Sequence, residues 1–392
     1  MSGEWKAGLE DVVAARSAIT SIDGAQGRLY YRGYEIGDLA GRASFEAVTH
    51  LLWFGELPSA EEMVAFQARL QAGRGLPEPV DTLLGRCPPD SHPLDVLRTA
   101  VSLAATLDPD ACQSDLEANL RKSTRIMSLV PSVVAAWHRR RSGQAPRPAR
   151  ADLSHAAHLL YLLGGEAPAA EVSRVLDVIL TLHADHEFNA STFALRVAVA
   201  TVADLHAAVV AAIATLKGPR HGGANEDVLM LLREIGRPER ARAFIEERLA
   251  ARDRLSRADR RDPRARVPGF GHRVYRVDDA RARVLRDMAR TMAEATGRQR
   301  LFEVAERVYE TVTSRTGMPV NVDFFSAVVY DALDIPSDLC TSIFAIGRVA
   351  GWCAHALEQY ADNRLIRPRA DYTGLAPRPL AMEAGITYSA AG

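Results

Sequence analysis

The stretch ASTFALRVAVATVADLHAAVVAAIATLKG (190–218) is apolar nearly all the way round a helix, so it is expected to be a core helix. Helical periodicity recurs on either side of it. SFEAVTHLLWFG (44–55) opens on a Ser at the capping position, carries Glu46 in its first turn and stops at Gly55. SAEEMVAFQARLQA (59–72) repeats that design, with Ser59 and Glu62 in capping-box register. The same spacing runs through 91–107, 115–141, 152–163, 169–185, 280–293, 299–315 and 337–363. Only AITSIDGAQGRLYYRGYEI (18–36) alternates, around Gly24 and Gly27, which predicts a small N-terminal β-hairpin. Strands nowhere alternate with helices, so a parallel α/β sheet is unsupported and the fold is read as mainly α.

At 392 residues, 47% of them hydrophobic and 25% charged, the chain has enough apolar content for a large core and two domains. Composition breaks at KGPRHGGANED (217–227), at the charged RDRLSRADRRDPRARVPGFGHRVYR (252–276) and at GMPVNVD (317–323). The expected division is a large domain from 1–221 and 326–392, with a smaller domain, 222–325, inserted in it. A formal net charge of -1 gives no global basic field for nucleic acid, although arginine clusters locally at 252–290 and 364–369. Cys87, Cys112, Cys340 and Cys353 lie far apart and form no CxxC pair, which argues against a disulfide framework and a structural zinc site. No apolar run approaches the ~20 residues that span a bilayer, and MSGEWKAGLEDVV has no apolar targeting segment. A cytoplasmic location is the expectation.

Three loops set an ionisable residue beside glycines or at a helix start. In GPRHGGANE (218–226), His221 precedes a helical run beginning near Ala224. A helix N-terminus disfavours the imidazolium, and a neutral imidazole can donate a hydrogen bond to a developing enolate oxygen. In PGFGHRVYR (268–276), Gly269 and Gly271 allow close backbone approach, while His272 is followed by Arg273 and Arg276. A glycine-rich basic loop suits a phosphate-bearing ligand. In NVDFFSAVVYDAL (321–333), Asp323 precedes an apolar helix. Each has an ordinary reading as well: a turn histidine, a solvated basic turn and a helix N-cap. A fourth segment, LHADHEFNAST (182–192), places His183, His186 and Glu187 in a polar break, but its HxxH order matches no zinc motif and no metal is expected. His50, His92, His138, His155, His158, His206 and His355 lie in or beside ordinary helical patterns and are read as structural.

Taken in order, LHADHEFNAST, LKGPRHGGANE, GFGHRVYR, NVDFF, FAIGRVAGWCAHALEQ and NRLIRP resemble the successive signature segments of the citrate synthase family. GLEDVVAARSAITSIDGAQGRLYYRGYEIGDLA resembles the N-terminal segment of its bacterial members, so the likeness runs through nearly the whole chain. The resemblance implies a mainly helical homodimer whose large and small domains close over acetyl-CoA and oxaloacetate, with no tightly bound cofactor. It assigns Asp323 as the base that takes a methyl proton, His221 as the donor to the thioester oxygen and His272 as the donor to the oxaloacetate carbonyl. By the same match His186, Arg281 and Arg348 hold oxaloacetate, Arg367 reaches in from the partner subunit, and Arg276 with Gly269 and Gly271 meets CoA. This chain departs from the family pattern at Ala280, where the family often has Pro, and at Ala327, where many members have Gly; the 252–266 stretch is also longer and richer in arginine. The nearest rival is 2-methylcitrate synthase, the same chemistry on propionyl-CoA. Two readings from other classes are an all-helical metal-dependent phosphohydrolase built on His183, Asp185 and His186, and a non-catalytic helical scaffold.

Overall fold

A computed structural model describes residues 5–256 and 266–378. Ser17–Leu365 forms one compact unit, and Met1–Arg16 with Ile366–Gly392 groups as a second. In the second unit the described residues hold one short 3-10 helix, Ala7–Leu9, and an exposed segment without regular structure after Ile366. The expected Arg-rich stretch falls partly at 257–265, outside the described residues.

The larger unit opens with a three-stranded antiparallel sheet, β1 (Thr20–Asp23), β2 (Arg28–Tyr31) and β3 (Tyr34–Glu35), in the order β1-β2-β3. The expected hairpin is therefore extended by one strand, through a second tight turn at Arg32 and Gly33, both at positive φ. Helices follow: α1 (Ile36–Leu39), α2 (Phe45–Phe54), α3 (Ala60–Ala72), α4 (Glu78–Arg86), α5 (Pro93–Ala105), α6 (Leu116–Arg141), α7 (His155–Gly164) and α8 (Ala170–His183). Then come α9 (Ala190–Ala200), α10 (Leu205–Leu216), α11 (Ala224–Ile235), α12 (Pro238–Asp253), α13 (Ala280–Thr296), α14 (Gln299–Thr316), α15 (Val322–Ala332) and α16 (Cys340–Ala361). The fold is mainly α, as the periodicity predicts.

The caps explain most boundaries. Ser44 accepts from Ala47 N–H and Gly55 ends α2 in the left-handed region, while Ser59 and Glu62 form a full capping box on α3. The 190–218 stretch is corrected by the structure: it is two helices, not one. Val202 turns the chain at φ 64° and Asp204 accepts from Ala207 N–H to start α10. Both halves are apolar and α9 packs on α10, so hydrophobicity alone carried no trace of the break. α4 and α12, whose patterns are interrupted by charge, were not anticipated. α16 is almost wholly buried and packs on α6, α8, α9 and α2. α11 to α15 pack chiefly on one another, α13 against α15 and α12 against α14.

Candidate active site

His183 ends α8, the turn to α9 carries Asp185 and His186, and that turn is held from three sides. The hydroxyl of Tyr31, on β2, accepts from Asp185 N–H (3.1 Å) and donates to Asp185 C=O (2.8 Å). The Asp185 carboxylate accepts from Thr20 Oγ1 on β1 (2.5 Å) and from Glu187 N–H (3.1 Å), and lies 3.2 Å from His355 Nε2 on α16. Burial pushes the Asp185 pKa up, but His355, Arg348 and Thr20 outweigh it and hold the group below the usual carboxylate range. Gly351 N–H donates to Ala184 C=O at 3.0 Å, and a Cβ at Gly351 would stand 2.3 Å from that oxygen. Only glycine lets α16 approach the turn so closely. The small sheet, remote in sequence, thus exists partly to fix the backbone under His186.

A second edge is built by backbone pairing between 269–271 and 319–321. Gly271 N–H donates to Pro319 C=O (2.7 Å), Asn321 N–H to Gly269 C=O (3.0 Å), and Asn321 Nδ2 to Gly271 C=O (3.2 Å). Asp279 N–H donates to Val320 C=O (3.1 Å), which ties in the start of α13. Asn321 is the N-cap of α15, accepting from Asp323 N–H at 3.0 Å. Asp323 is therefore not the cap; its carboxylate is released from that duty. This zipper joins the loop of His272, the helix of Arg281 and the helix of Asp323.

Where the two edges meet, the rings of His186 and His272 stand 5.2 Å apart, with Tyr275 5.6 Å from the first and 4.6 Å from the second. Val274 and Tyr275 N–H groups donate to His272 Nδ1 (3.0 and 3.1 Å). A backbone N–H can only donate, so Nδ1 is the acceptor and the proton sits on Nε2, the outward nitrogen. The same logic applies to His221: Ser191 N–H donates to its Nε2 (3.3 Å), with Ser191 Oγ at 2.8 Å, so Nδ1 carries the proton. Burial lowers the pKa of each ring to about 4, helped by the Arg348 charge at His221 and by Arg281 at His272. His186 lies well below its ordinary value through burial, Arg281, His272 and Arg348, and its Nε2 has no hydrogen-bond partner among the described residues. All three rings are neutral at pH 7. For His221, burial rather than the helix terminus is the leading cause.

Two guanidiniums face this cluster and differ in kind. Arg281, 2% exposed, is locked in a bidentate pair with Asp279 (3.0 and 2.6 Å). That pair, invisible to the sequence reading, raises the Arg281 pKa despite burial. Arg348, 1% exposed, donates from Nε to His183 C=O (2.7 Å), stacks over Phe344 (4.6 Å) and has no carboxylate partner among the described residues. Burial lowers its pKa to about 10. Burial raises Asp323 to about 7, against the pull of Arg281 and Arg348.

The structure thus brings together buried His186, Arg281, Arg348 and Asp323 and half-buried His221 and His272. Other sequence-predicted residues stand elsewhere. Arg276 is exposed, its N–H donating to Gly24 C=O. Gly269, at φ 80°, has its reason in packing, because a Cβ there would lie 2.7 Å from Phe324; Gly271, at φ 82°, faces open space. Arg367 belongs to the other unit and is exposed. The rival trio does not assemble as a ligand set: His183 Nε2 contacts Tyr330 Oη (3.0 Å), and the Asp185 carboxylate turns to Thr20 and His355. Among the described residues the one grouping of metal-ligand type is His186, His272 and Asp279, with ligand atoms within 4.8 Å of one another. Asp279 is committed to Arg281 there, and two guanidiniums make the place attractive to an anion rather than a cation. Sequence reasoning missed Asp279, Ser191, Tyr31 and Asn225. Asn225, inside the HGGAN motif, and Ser191, inside LHADHEFNAST, carried a local signal.

The sequence matches the family described as "Citrate synthase, C-terminal domain" over residues 8–369. It is 44% identical over 368 residues to citrate synthase 2 of Bacillus subtilis (strain 168), covering 94% of this chain and 95% of that protein. It is 36% identical over 373 residues to the 2-methylcitrate synthase of Shewanella oneidensis, covering 95% and 96%. Among solved structures it is similar to the citrate synthase of the archaeon Thermoplasma acidophilum, a ternary complex with carboxymethyl coenzyme A and oxaloacetate. That likeness has a TM-score of 0.86, 29% identity, and coverage of 96% of this chain and 98% of that one. With the family match spanning nearly the whole length and the site assembled from its signature segments, this chain belongs to the citrate synthase family.

Proposed function

We propose that this chain condenses acetyl-CoA with oxaloacetate and hydrolyses the resulting thioester, releasing citrate and CoA. The observation that carries the reading is Arg348. A buried guanidinium without a carboxylate partner costs several kcal/mol, so its retention makes sense when an anionic ligand completes the pair. The rings of His186 and His272 stand 5.2 Å apart, and the charges of both Arg281 and Arg348 are felt at His186. Two carboxylates and a ketone match that donor set.

The residues divide the chemistry. Asp323 removes a methyl proton from acetyl-CoA, while His221 Nδ1–H donates to the thioester oxygen and stabilises the enol as it forms. The enol carbon attacks the oxaloacetate carbonyl, and His272 Nε2–H donates to the oxygen that becomes the citrate hydroxyl. Water then cleaves the citryl thioester. Every group needed as donor is neutral at pH 7, so none loses its proton to solvent beforehand. No tightly bound cofactor enters this scheme; CoA arrives with the substrate, against the Gly269–Gly271 loop and Arg276. Segment 222–325 acts as the smaller domain that closes on it.

The acyl group is the finer choice. A 2-methylcitrate synthase among the relatives keeps propionyl-CoA as the second reading. One methylene changes selectivity by roughly 10–200-fold. We expect kcat/KM to be at least tenfold higher for acetyl-CoA than for propionyl-CoA; a propionyl-CoA preference would assign the second reading instead. Among the described residues no helix is long and apolar enough to cross a membrane.

We also propose a homodimer in which Arg367 completes the partner's oxaloacetate site. Mixing Arg367→Ala subunits with Asp323→Ala subunits is then expected to restore about one working site per mixed dimer. If Arg367 acts within its own chain, mixing restores nothing.

A further inference from the structure

We infer that Asn225 is the positioning residue for the base, its side-chain amide holding one oxygen of Asp323 so that the other is presented to the acyl methyl. The inference rests on the proposed function and deepens it. Asn225 is fully buried in the first turn of α11, four residues after His221. One end of its amide faces only acceptors and the other only donors, which fixes the orientation with Nδ2 toward α15. From there Nδ2 donates to Asp323 C=O (3.2 Å) and to the Asp323 carboxylate oxygen Oδ1. Ser326 Oγ lies 3.3 Å from the same end of the amide and donates to Asp323 C=O (3.1 Å), which braces the contact. Among the described residues no hydrogen bond reaches Oδ2.

The choice of an amide has a chemical logic. A base in a buried site must be ionised to act, yet not so stabilised that it becomes a feeble base. The groups facing Asp323 are Arg281 and Asp279 from α13 and its cap, Arg348 from α16, and Tyr330 on α15 itself. From α11 comes only the neutral donor of Asn225. A hydrogen bond to the charged form favours ionisation without adding a full charge. Because α11 also begins just after His221, a single helix start places the enol donor and the partner of the base, the two halves of enolisation.

The test is the pH dependence of kcat for Asn225→Ala, with Asn225→Asp as the second variant in case the alanine protein folds poorly. Folding is checked by circular dichroism and by the thermal shift that oxaloacetate induces. A hydrogen bond to a charged group is worth roughly one to two pH units at its acceptor. The acid limb of kcat is therefore expected to move about one unit or more toward alkaline pH in Asn225→Ala, with kcat at pH 7 about tenfold lower and the oxaloacetate KM within about twofold. Asn225→Asp, which sets a second carboxyl against Oδ1, should move the limb at least as far in the same direction. An unmoved limb in a folded variant, or a loss confined to oxaloacetate KM, would overturn the assignment. Failure of the unaltered protein to release CoA would instead overturn the proposed function, so the two failures are separable.

Discussion

Asp323→Asn is expected to lower kcat by roughly 10²–10⁴-fold and, at the same time, to make the protein more stable above pH 7. The first effect is loss of the base. The second follows from burial, which raises the Asp323 pKa from 3.8 to about 7. A carboxyl whose folded pKa is raised favours the fold while protonated. That contribution is fully present below the unfolded pKa and is lost as pH rises through about 7. Three pH units correspond to about 4 kcal/mol as an upper figure, spent keeping a charged base where catalysis needs it. Asparagine keeps the shape and never ionises, so its advantage in Tm should be partial at pH 5 and reach its full size by pH 8. Melting both proteins at the two pH values checks this; an equal difference at both would place the strain elsewhere. Because His221 and His272 are already neutral above about 4, the log of kcat/KM of the unaltered enzyme should rise with unit slope below about pH 7 and level off above it.

The next largest effect is expected at Arg348. Arg348→Leu removes a buried cation that makes no ion pair with a carboxylate among the described residues and acts on Asp185 only through space, so the ligand-free protein should lose less stability than at Arg281. Binding should suffer instead. Truncating one member of a buried, hydrogen-bonded charge pair costs roughly 2–5 kcal/mol, or about 30- to 5,000-fold in oxaloacetate affinity. Oxaloacetate should raise the Tm of the unaltered protein at millimolar concentration and leave the variant unmoved. Arg281→Leu offers the contrast, because it strands Asp279 in a wholly buried position and should destabilise the protein before any ligand is added. If the Arg348 variant still responds to oxaloacetate, the arginine is structural.

The sequence carried the architecture where local physics decides it. Ser44, Ser59 and Gly55 marked helix ends because capping depends on a few adjacent residues. It failed at Thr201–Asp204, where both flanking helices are equally buried and the break left no change in hydrophobicity. The site showed the same division. His221, His272 and Asp323 could be named from their motifs, but their states could not. The proton on His272 Nε2 depends on how Val274 and Tyr275 turn their N–H groups, and the contrast between Arg281 and Arg348 depends on which guanidinium has a neighbouring carboxylate. Tyr31 and Thr20 lie some 150 residues before the turn they support, and the local pattern that marked them as strand residues held no sign of that contact. The shell that decides protonation is assembled by tertiary contacts, and those are what the fold supplied.

The most direct measurement is CoA thiol release from acetyl-CoA, followed with and without oxaloacetate and repeated in EDTA. Rapid release that requires oxaloacetate, survives the chelator and yields citrate is the predicted result. Thioester cleavage that proceeds equally without oxaloacetate, or no release at all, would contradict it.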